Sequence, residues 1–172
     1  DELRAEGRKV GLIKLRFTVN EEEMTLQCPP GTRLLDILRS HAGLKGTREG
    51  CGVGECGSCL VLKDGMAVNA CLVPAFTLAD SEIVTIEGIR GLKSFAELRK
   101  SLPEAELAGC GFCTSGFIVA LAGLFLVNPR AGEAEIREAL SGVLCGCGHY
   151  AEIVDKTLQR LSRRRRYGRK RD

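Results

Sequence analysis

Eight of the nine cysteines in this 172-residue chain fall into two groups of four, and that arrangement limits what the chain can fold into. The first group is Cys51-x4-Cys56-x2-Cys59 followed by Cys71, and the second is Cys110-x2-Cys113 followed by Cys145-x-Cys147. Four thiols in one place form either a disulfide knot or a metal site. Both alternatives require the segments that supply the cysteines to meet in the folded protein.

The first group has the C-x4-C-x2-C…C spacing of plant-type 2Fe–2S proteins. Three glycines between these cysteines, Gly52, Gly54 and Gly57, allow the backbone to curl closely and to direct its amides at sulfur. Structural zinc more often uses two close pairs of cysteines, so zinc is the weaker alternative here. The spacing predicts a first 2Fe–2S cluster on these four thiols.

The second group is less specific when it is taken alone. Cys110 and Cys113 directly precede an apolar run, and Cys145 and Cys147 precede the last predicted helix. Each pair therefore lies at a predicted helix N-terminus, where free N–H groups favour an anionic ligand. Two such ends that face each other would form a four-thiol site, and the spacing leaves zinc and an iron–sulfur cluster both open.

The remaining cysteine and the two histidines have no partners at ligand spacing. Cys28 lies in a predicted strand, which favours a role as a small core residue. His41 is expected at the end of a helix. His149 follows Cys147 by two positions, close enough to hydrogen-bond near that site, although a structural role is favoured. The absence of a histidine pair argues against a Rieske centre, and we expect no catalytic residues in this chain.

Periodicity divides the chain into a strand-rich first half and a helical second half. The predicted strands are residues 12–19, 24–28, 58–62, 66–72 and 83–86, with one short helix around Leu34 and Asp64-Gly65 as a hairpin turn. On this prediction Cys71 lies on a strand. The predicted helices are residues 95–101, 114–127, 134–140 and 150–161. The chain is therefore predicted to be α+β, with domains at residues 1–90 and 91–162.

Charge is unevenly distributed along the chain. The last ten residues, 163–172, contain seven cations and one anion, whereas the other 162 residues have a net charge of −3. We predict a solvated basic tail, with a partner-binding arm as the alternative. The first residues lack the apolar run of a secretory signal, and the longest apolar run is too short for a membrane span. We therefore expect a cytoplasmic protein that binds neither membrane nor nucleic acid.

Long stretches of the sequence resemble a known family, the small iron–sulfur subunits of the molybdenum hydroxylases. These include the xanthine dehydrogenase, aldehyde oxidoreductase and carbon monoxide dehydrogenase group. The stretch RLLDILRSHAGLKGTREGCGVGECGSCLVLKDGMAVNACL resembles the ferredoxin-like half of these subunits, and GCGFCTSGFIVALAGLFLVNP and CGCGHYAEIVDK resemble their helical half. The resemblance covers residues 9–161. It favours a second 2Fe–2S cluster, and not zinc, on Cys110, Cys113, Cys145 and Cys147.

The resemblance implies a fold, a function and a set of partners. The fold is an N-terminal β-grasp 2Fe–2S domain followed by an all-α four-helix 2Fe–2S domain. The function is to pass electrons from a molybdopterin centre through two clusters to FAD or another acceptor. The partners are a large subunit that binds molybdopterin and a medium subunit that binds FAD, together forming a hetero-oligomeric oxidoreductase. This chain alone is expected to turn over no substrate.

Three departures from the family pattern lie near the second cysteine group. Gly109 replaces a usual glutamine, Ser115 replaces a proline, and Gly146-Cys147-Gly148-His149 stands where the family has Arg-Cys-Thr-Gly. By the resemblance, the glutamine side chain helps to hydrogen-bond the pterin, and Gly109 lacks that side chain. From the sequence we expect a glutamine at position 109 to be tolerated.

Two other functions are compatible with parts of the sequence. One is a stand-alone ferredoxin-like carrier or redox sensor, which would have no need of a second cluster in a helical domain. The other is a zinc-stabilised interaction module with a basic tail. Iron content distinguishes the zinc module, and co-purification distinguishes the free carrier.

Overall fold

The first half of the chain forms one mixed five-stranded sheet. The computed structural model describes residues 11–100 and 109–168. The strands are β1 (Ile13–Val19), β2 (Glu22–Cys28), β3 (Leu60–Lys63), β4 (Met66–Asn69) and β5 (Glu82–Val84). Their order in the sheet is β2-β1-β5-β3-β4, in which β1 and β5 are parallel and the other neighbours are antiparallel.

The hairpin of β1 and β2 has the alternation that the sequence predicts. Leu15, Phe17 and Val19 are buried, whereas the residues between them are more exposed. Asn20 forms the turn with a positive φ of 53°, and its side chain reaches Thr85. Its Oδ1 accepts the Thr85 N–H at 2.9 Å, and its Nδ2 donates to Thr85 Oγ1 at 3.0 Å. This turn therefore fixes the end of β5 as well as its own hairpin.

The second hairpin confirms the predicted turn at Asp64-Gly65 but corrects the strand that follows it. Strand β4 ends at Asn69, and Ala70–Leu72 form a 3₁₀ turn. Cys71 is consequently in a tight turn, so its predicted position on a strand is wrong. The predicted strand at residues 83–86 is also too long, because Ile86 already begins the next helix.

A short helix packs on the sheet and closes the first core. Helix α1 (Leu34–Asp36) continues as a π-helical turn, Ile37–His41. Leu34, Leu35, Ile37 and Leu38 are completely buried, so this segment presents nearly all of its apolar surface to the sheet. The side chain of Arg39 donates to the carbonyls of Lys45 and Thr47, at the start of the loop that contains the first three cysteines.

The second half of the chain is helical, as predicted. Its helices are α2 (Ile86–Gly91), α3 (Ala96–Arg99), α4 (Thr114–Val127), α5 (Glu133–Ser141) and α6 (Tyr150–Gly168), with a 3₁₀ turn at Lys93–Phe95. The helix predicted at residues 95–101 is therefore shorter, and Ser101 lies outside the described residues. Helix α6 continues past Leu161, where the prediction ended it, because arginine is a good helix former.

Helix α4 is the centre of the helical core. Ten of its fourteen residues are buried, and it packs with Ile136 and Leu140 of α5 and with Ile153 and Val154 of α6. The same cluster includes Leu62 of β3 and other residues from the sheet half. The two halves thus share apolar packing. Within the described residues, none of the helices has the length and apolar character needed to cross a membrane.

Candidate metal centres

The loop between the π-helical turn and β3 supplies three thiols of the first group, and the 3₁₀ turn after β4 supplies the fourth, Cys71. Within this loop, Sγ of Cys51 accepts the backbone N–H groups of Val53, Glu55 and Cys56 at 3.3 to 3.4 Å. The backbone N–H of Cys51 in turn lies 3.3 Å from Sγ of Cys56. These N–H groups, first that of Val53, lower the pKa of the Cys51 thiol to about 7. The loop thus stabilises a thiolate before any metal binds.

Close approach explains two of the glycines in this loop. Gly54 has a φ of +84°, and a Cβ there would lie 2.3 Å from Cδ1 of Leu72. At Gly50, a Cβ would lie 2.6 Å from Sγ of Cys56. The side chain of Asn69 donates to the carbonyl of Gly54 at 2.9 Å and thereby ties the loop to the end of β4. Sequence analysis missed this role of Asn69, since no local pattern indicates a bond across fifteen positions.

The other two thiols of the first group close the site from the buried side. Cys59 and Cys71 are both almost inaccessible to solvent, and both belong to the core of the sheet half. Burial raises the pKa of the Cys59 thiol to about 12, and the adjacent Cys71 contributes to that rise. The set therefore combines one exposed, readily ionised thiol, that of Cys51, with two buried thiols.

The second group is assembled from two distant segments, as predicted. Sγ of Cys147 lies 3.8 Å from Sγ of Cys110 and 3.5 Å from Sγ of Cys145. Cys113, the residue that precedes the first turn of α4, is buried next to Cys145. All nine cysteines of the chain are free thiols, so a disulfide knot is excluded in this structure.

In the second group, as in the first, a buried thiol has a raised pKa and an exposed thiol has a lowered pKa. Burial raises the pKa of the Cys113 thiol to about 11. The backbone N–H of Cys110, followed by the His149 side chain, lowers the pKa of the exposed Cys147 thiol to about 6. The sulfur of Cys147 raises the pKa of His149 in return. This set also favours thiolate at its solvent side.

The two groups are joined by backbone contacts. The N–H of Leu144, the residue before Cys145, donates to the carbonyl of Cys56 at 3.0 Å. A Cβ on Gly116 of α4 would lie 2.4 Å from the carbonyl oxygen of Gly57, so the helix and the first loop meet backbone to backbone. Arg48 also stacks on the ring of Phe112, 5.4 Å from its centroid. No local pattern in the sequence indicates these contacts.

The residues outside the two groups lie as follows. Cys28 is buried in the core of the sheet half, as expected. His41 is exposed at the end of the π-helical turn. An imidazole nitrogen of His149 lies within 4.8 Å of Sγ of both Cys145 and Cys147. Gly109 has a φ of +107°, so a glutamine there would carry about 1–3 kcal/mol of backbone strain, and its tolerance stays a prediction.

Both groups fit a 2Fe–2S cluster by the chemistry of their donors. Each offers four thiols, each has at least one thiol with a lowered pKa, and each directs backbone N–H groups at sulfur. Thiolates are the ligands of these clusters, and N–H groups offset the negative charge of the cluster and its thiolates. At the first group, a Cβ on Gly50 or Gly54 would meet the side chain of Cys56 or Leu72, respectively.

Comparison with known proteins agrees with this chemistry. Residues 17–83 match the model of a 2Fe–2S iron–sulfur cluster binding domain, and residues 85–157 match that of a second 2Fe–2S binding domain. The xanthine dehydrogenase iron–sulfur-binding subunit of Escherichia coli O157:H7 is 38% identical over 149 residues, which cover 85% of this chain and 92% of that protein. This chain belongs to the iron–sulfur subunits of the molybdenum hydroxylases. The predicted family, the two clusters and the electron-transfer function within an oxidoreductase are thereby confirmed.

Other relatives of this chain agree in sequence and in fold. The nicotinate dehydrogenase small FeS subunit of Eubacterium barkeri is 37% identical over 141 residues, covering 82% of this chain and 90% of that protein. A solved chain of quinoline 2-oxidoreductase from Pseudomonas putida 86 is 33% identical, with a TM-score of 0.76. That comparison covers 91% of this chain and 98% of the solved chain. Each of these relatives is thus matched over nearly all of its own length.

Proposed function

We propose that this iron–sulfur subunit holds one 2Fe–2S cluster on each of its two thiol groups and relays electrons between them. The ligands of the first cluster would be Cys51, Cys56, Cys59 and Cys71. The ligands of the second cluster would be Cys110, Cys113, Cys145 and Cys147. Each cluster, when bound, accepts and donates a single electron. The support is the meeting of four thiols in each half together with the N–H groups directed at Cys51 and Cys147.

One observation supports a relay rather than two independent sites. The hydrogen bond from Leu144 N–H to the carbonyl of Cys56 connects a ligand of the first group with the residue next to Cys145. The path between the two groups therefore runs along the backbone of Cys56, across this hydrogen bond of 3.0 Å, and along the backbone from Leu144 to Cys145. The glycine contact of Gly57 with Gly116 keeps both segments at this spacing.

We further propose the partners that the family implies. A large subunit with the molybdopterin centre would supply electrons to the second cluster, and a medium subunit with FAD would receive them from the first. Exposed apolar side chains border both groups: Val53 and Leu72 at the first, and Phe112 and Leu144 at the second. Apolar surface next to a redox site favours cover by another protein.

The domain bounds and the cellular location of this chain are also part of this proposal. We propose a β-grasp domain at residues 1–90, a four-helix domain at residues 91–162 and a basic tail at residues 163–172. The mixed sheet with α1 across it supports the first, and α3 to α6 support the second. We propose a cytoplasmic location, where reduced thiols are available to bind metal.

Reduction kinetics of the assembled complex test this function. The complex would be purified with its co-purifying subunits and mixed with its substrate, and both cluster signals would be followed by rapid-freeze electron paramagnetic resonance. In Cys147→Ser we expect the second signal to disappear and the first cluster to remain oxidised. Cys28→Ser is the control and should behave like the wild type. A first cluster that still fills at the wild-type rate in Cys147→Ser would disprove the relay. A chain that purifies alone would favour the free-carrier alternative.

A further inference from the structure

His149 has a buried polar atom that the structure does not otherwise use. Its Nδ1 is inaccessible to solvent and has no hydrogen bond of ordinary geometry among the described residues. A neutral imidazole has one N–H donor and one acceptor, and an unpaired buried nitrogen is rare because desolvation is then uncompensated. We therefore expect Nδ1 of His149 to have a hydrogen-bond partner in the functional protein.

A hydrogen bond to α6 holds the backbone of His149, which limits the positions that the imidazole can reach. The carbonyl of His149 accepts the N–H of Ile153 at 3.0 Å, in the first turn of α6. Ile153 itself is buried in the helical core. The ring can still turn about its outer torsion, which is soft in histidine. Only the orientation of the imidazole is therefore left to adjust.

The imidazole of His149 and the sulfur of Cys147 both lie beside Gly109. A Cβ on Gly109 would lie 3.4 Å from Sγ of Cys147 and 3.5 Å from Nδ1 of His149. The sulfur and the nitrogen thus border the same space, which any side chain at position 109 would occupy. An imidazole nitrogen also lies within 4.8 Å of the sulfurs of Cys145 and Cys147.

We propose that His149 is a positioning residue that donates an N–H hydrogen bond to the sulfur of Cys147 and raises the reduction potential of the second cluster. This inference rests on the proposed ligand group of Cys110, Cys113, Cys145 and Cys147. One-electron reduction adds one negative charge to the cluster and its thiolates. A donor directed at a ligand sulfur stabilises that charge, and hydrogen bonds to sulfur are among the factors that set these potentials.

The test is a redox titration of the full chain with both clusters bound, followed by electron paramagnetic resonance. His149→Leu removes the donor and keeps an apolar side chain of similar bulk, whereas His149→Asn retains an N–H donor. His41→Leu is the matched control, since it removes the exposed histidine of the other half. The first cluster is an internal reference in every sample.

We expect His149→Leu to lower the midpoint potential of the second cluster alone. A tenfold change in the one-electron equilibrium, about 59 mV, is the expected size. His149→Asn should retain at least half of the difference, and His41→Leu should change neither potential. Equal second-cluster potentials in the wild type and His149→Leu would overturn the inference while leaving the proposed ligands intact.

Two other results would overturn it for a different reason. Loss of the second cluster in both His149 variants would make His149 a ligand and not a hydrogen-bond donor. Absence of the second cluster in the wild-type chain would refute the ligand assignment together with this inference. Pulsed resonance on chain labelled with ¹⁵N-histidine separates the first case from the proposal, because a directly bound nitrogen couples far more strongly than a hydrogen-bonded one.

Discussion

Individual residues determine whether the two thiol groups can form, and glycines matter here as much as cysteines. Gly57 and Gly65 can be compared directly, because both have a left-handed backbone, with φ of +66° and +81°. A Cβ on Gly57 would lie 2.3 Å from the backbone oxygen of Gly142, whereas the space around Gly65 is open. A side chain at Gly65 would therefore meet backbone strain alone, whereas a side chain at Gly57 would meet both strain and a clash with neighbouring backbone.

Alanine at these two positions should have different effects. Gly65→Ala introduces left-handed strain alone and should cost about 1–2 kcal/mol of unfolding free energy. Gly57→Ala adds a clash with rigid backbone and should cost a further ~1–3 kcal/mol. Denaturant unfolding with iron analysis measures both effects, and only Gly57→Ala should release iron. Equal stability of the two variants would show that the contact between Gly57 and Gly142 relaxes freely.

The sequence predicts the cysteine groups better than it predicts the surroundings of individual glycines and histidines. The cysteine groups are evident in the sequence because ligand spacing is a local property. The φ of Gly109 and the neighbours of His149 are set by how two distant segments pack, and no local pattern records that packing. Cys71 departs from its predicted strand for a related reason: the apolar residues after β4 suit a strand, but the 3₁₀ turn buries the thiol against the loop.

At the scale of elements, the important contact is between the first loop and the segment before α6. Leu144 makes this contact through its backbone N–H alone, and its side chain is exposed. The bounds of α4 could be predicted because its apolar run ends at Asn128-Pro129, and proline disfavours helix in the residue before it. The packing of Leu62 from the sheet into the helical core depends on tertiary structure and could not be predicted.

Proline at position 144 isolates the backbone contact. Leu144→Pro removes the N–H that Cys56 accepts, whereas Leu144→Ala keeps that N–H and shortens the side chain. We expect Leu144→Pro to slow electron transfer between the clusters and to cost about 1–3 kcal/mol of stability, from the unpaired carbonyl. Flash reduction followed by freeze-quench measures the rate. Equal slowing in Leu144→Ala would assign the effect to the side chain.

At the scale of the whole molecule, the basic tail differs in charge from the rest of the chain. Helix α6 continues into it, but the core residues of α6 that the structure describes, Ile153, Val154 and Thr157, all precede it. We therefore expect deletion of residues 163–172 to leave iron content and thermal stability within error of the full chain. Loss of iron on deletion would contradict this expectation. Loss of co-purifying subunits alone would make the tail a docking element.

The proposed relay depends on two 2Fe–2S clusters, held by this one chain on two separate groups of four thiols. Electron paramagnetic resonance of the reduced chain, with iron and sulfide analysis, tests it most directly in the wild type, Cys28→Ser, Cys56→Ser and Cys147→Ser. We predict two signals and about four irons for the wild type and Cys28→Ser. Cys56→Ser should lose only the first signal, and Cys147→Ser only the second. A single signal in the wild type, stoichiometric zinc, or loss of iron in Cys28→Ser would contradict these ligand assignments.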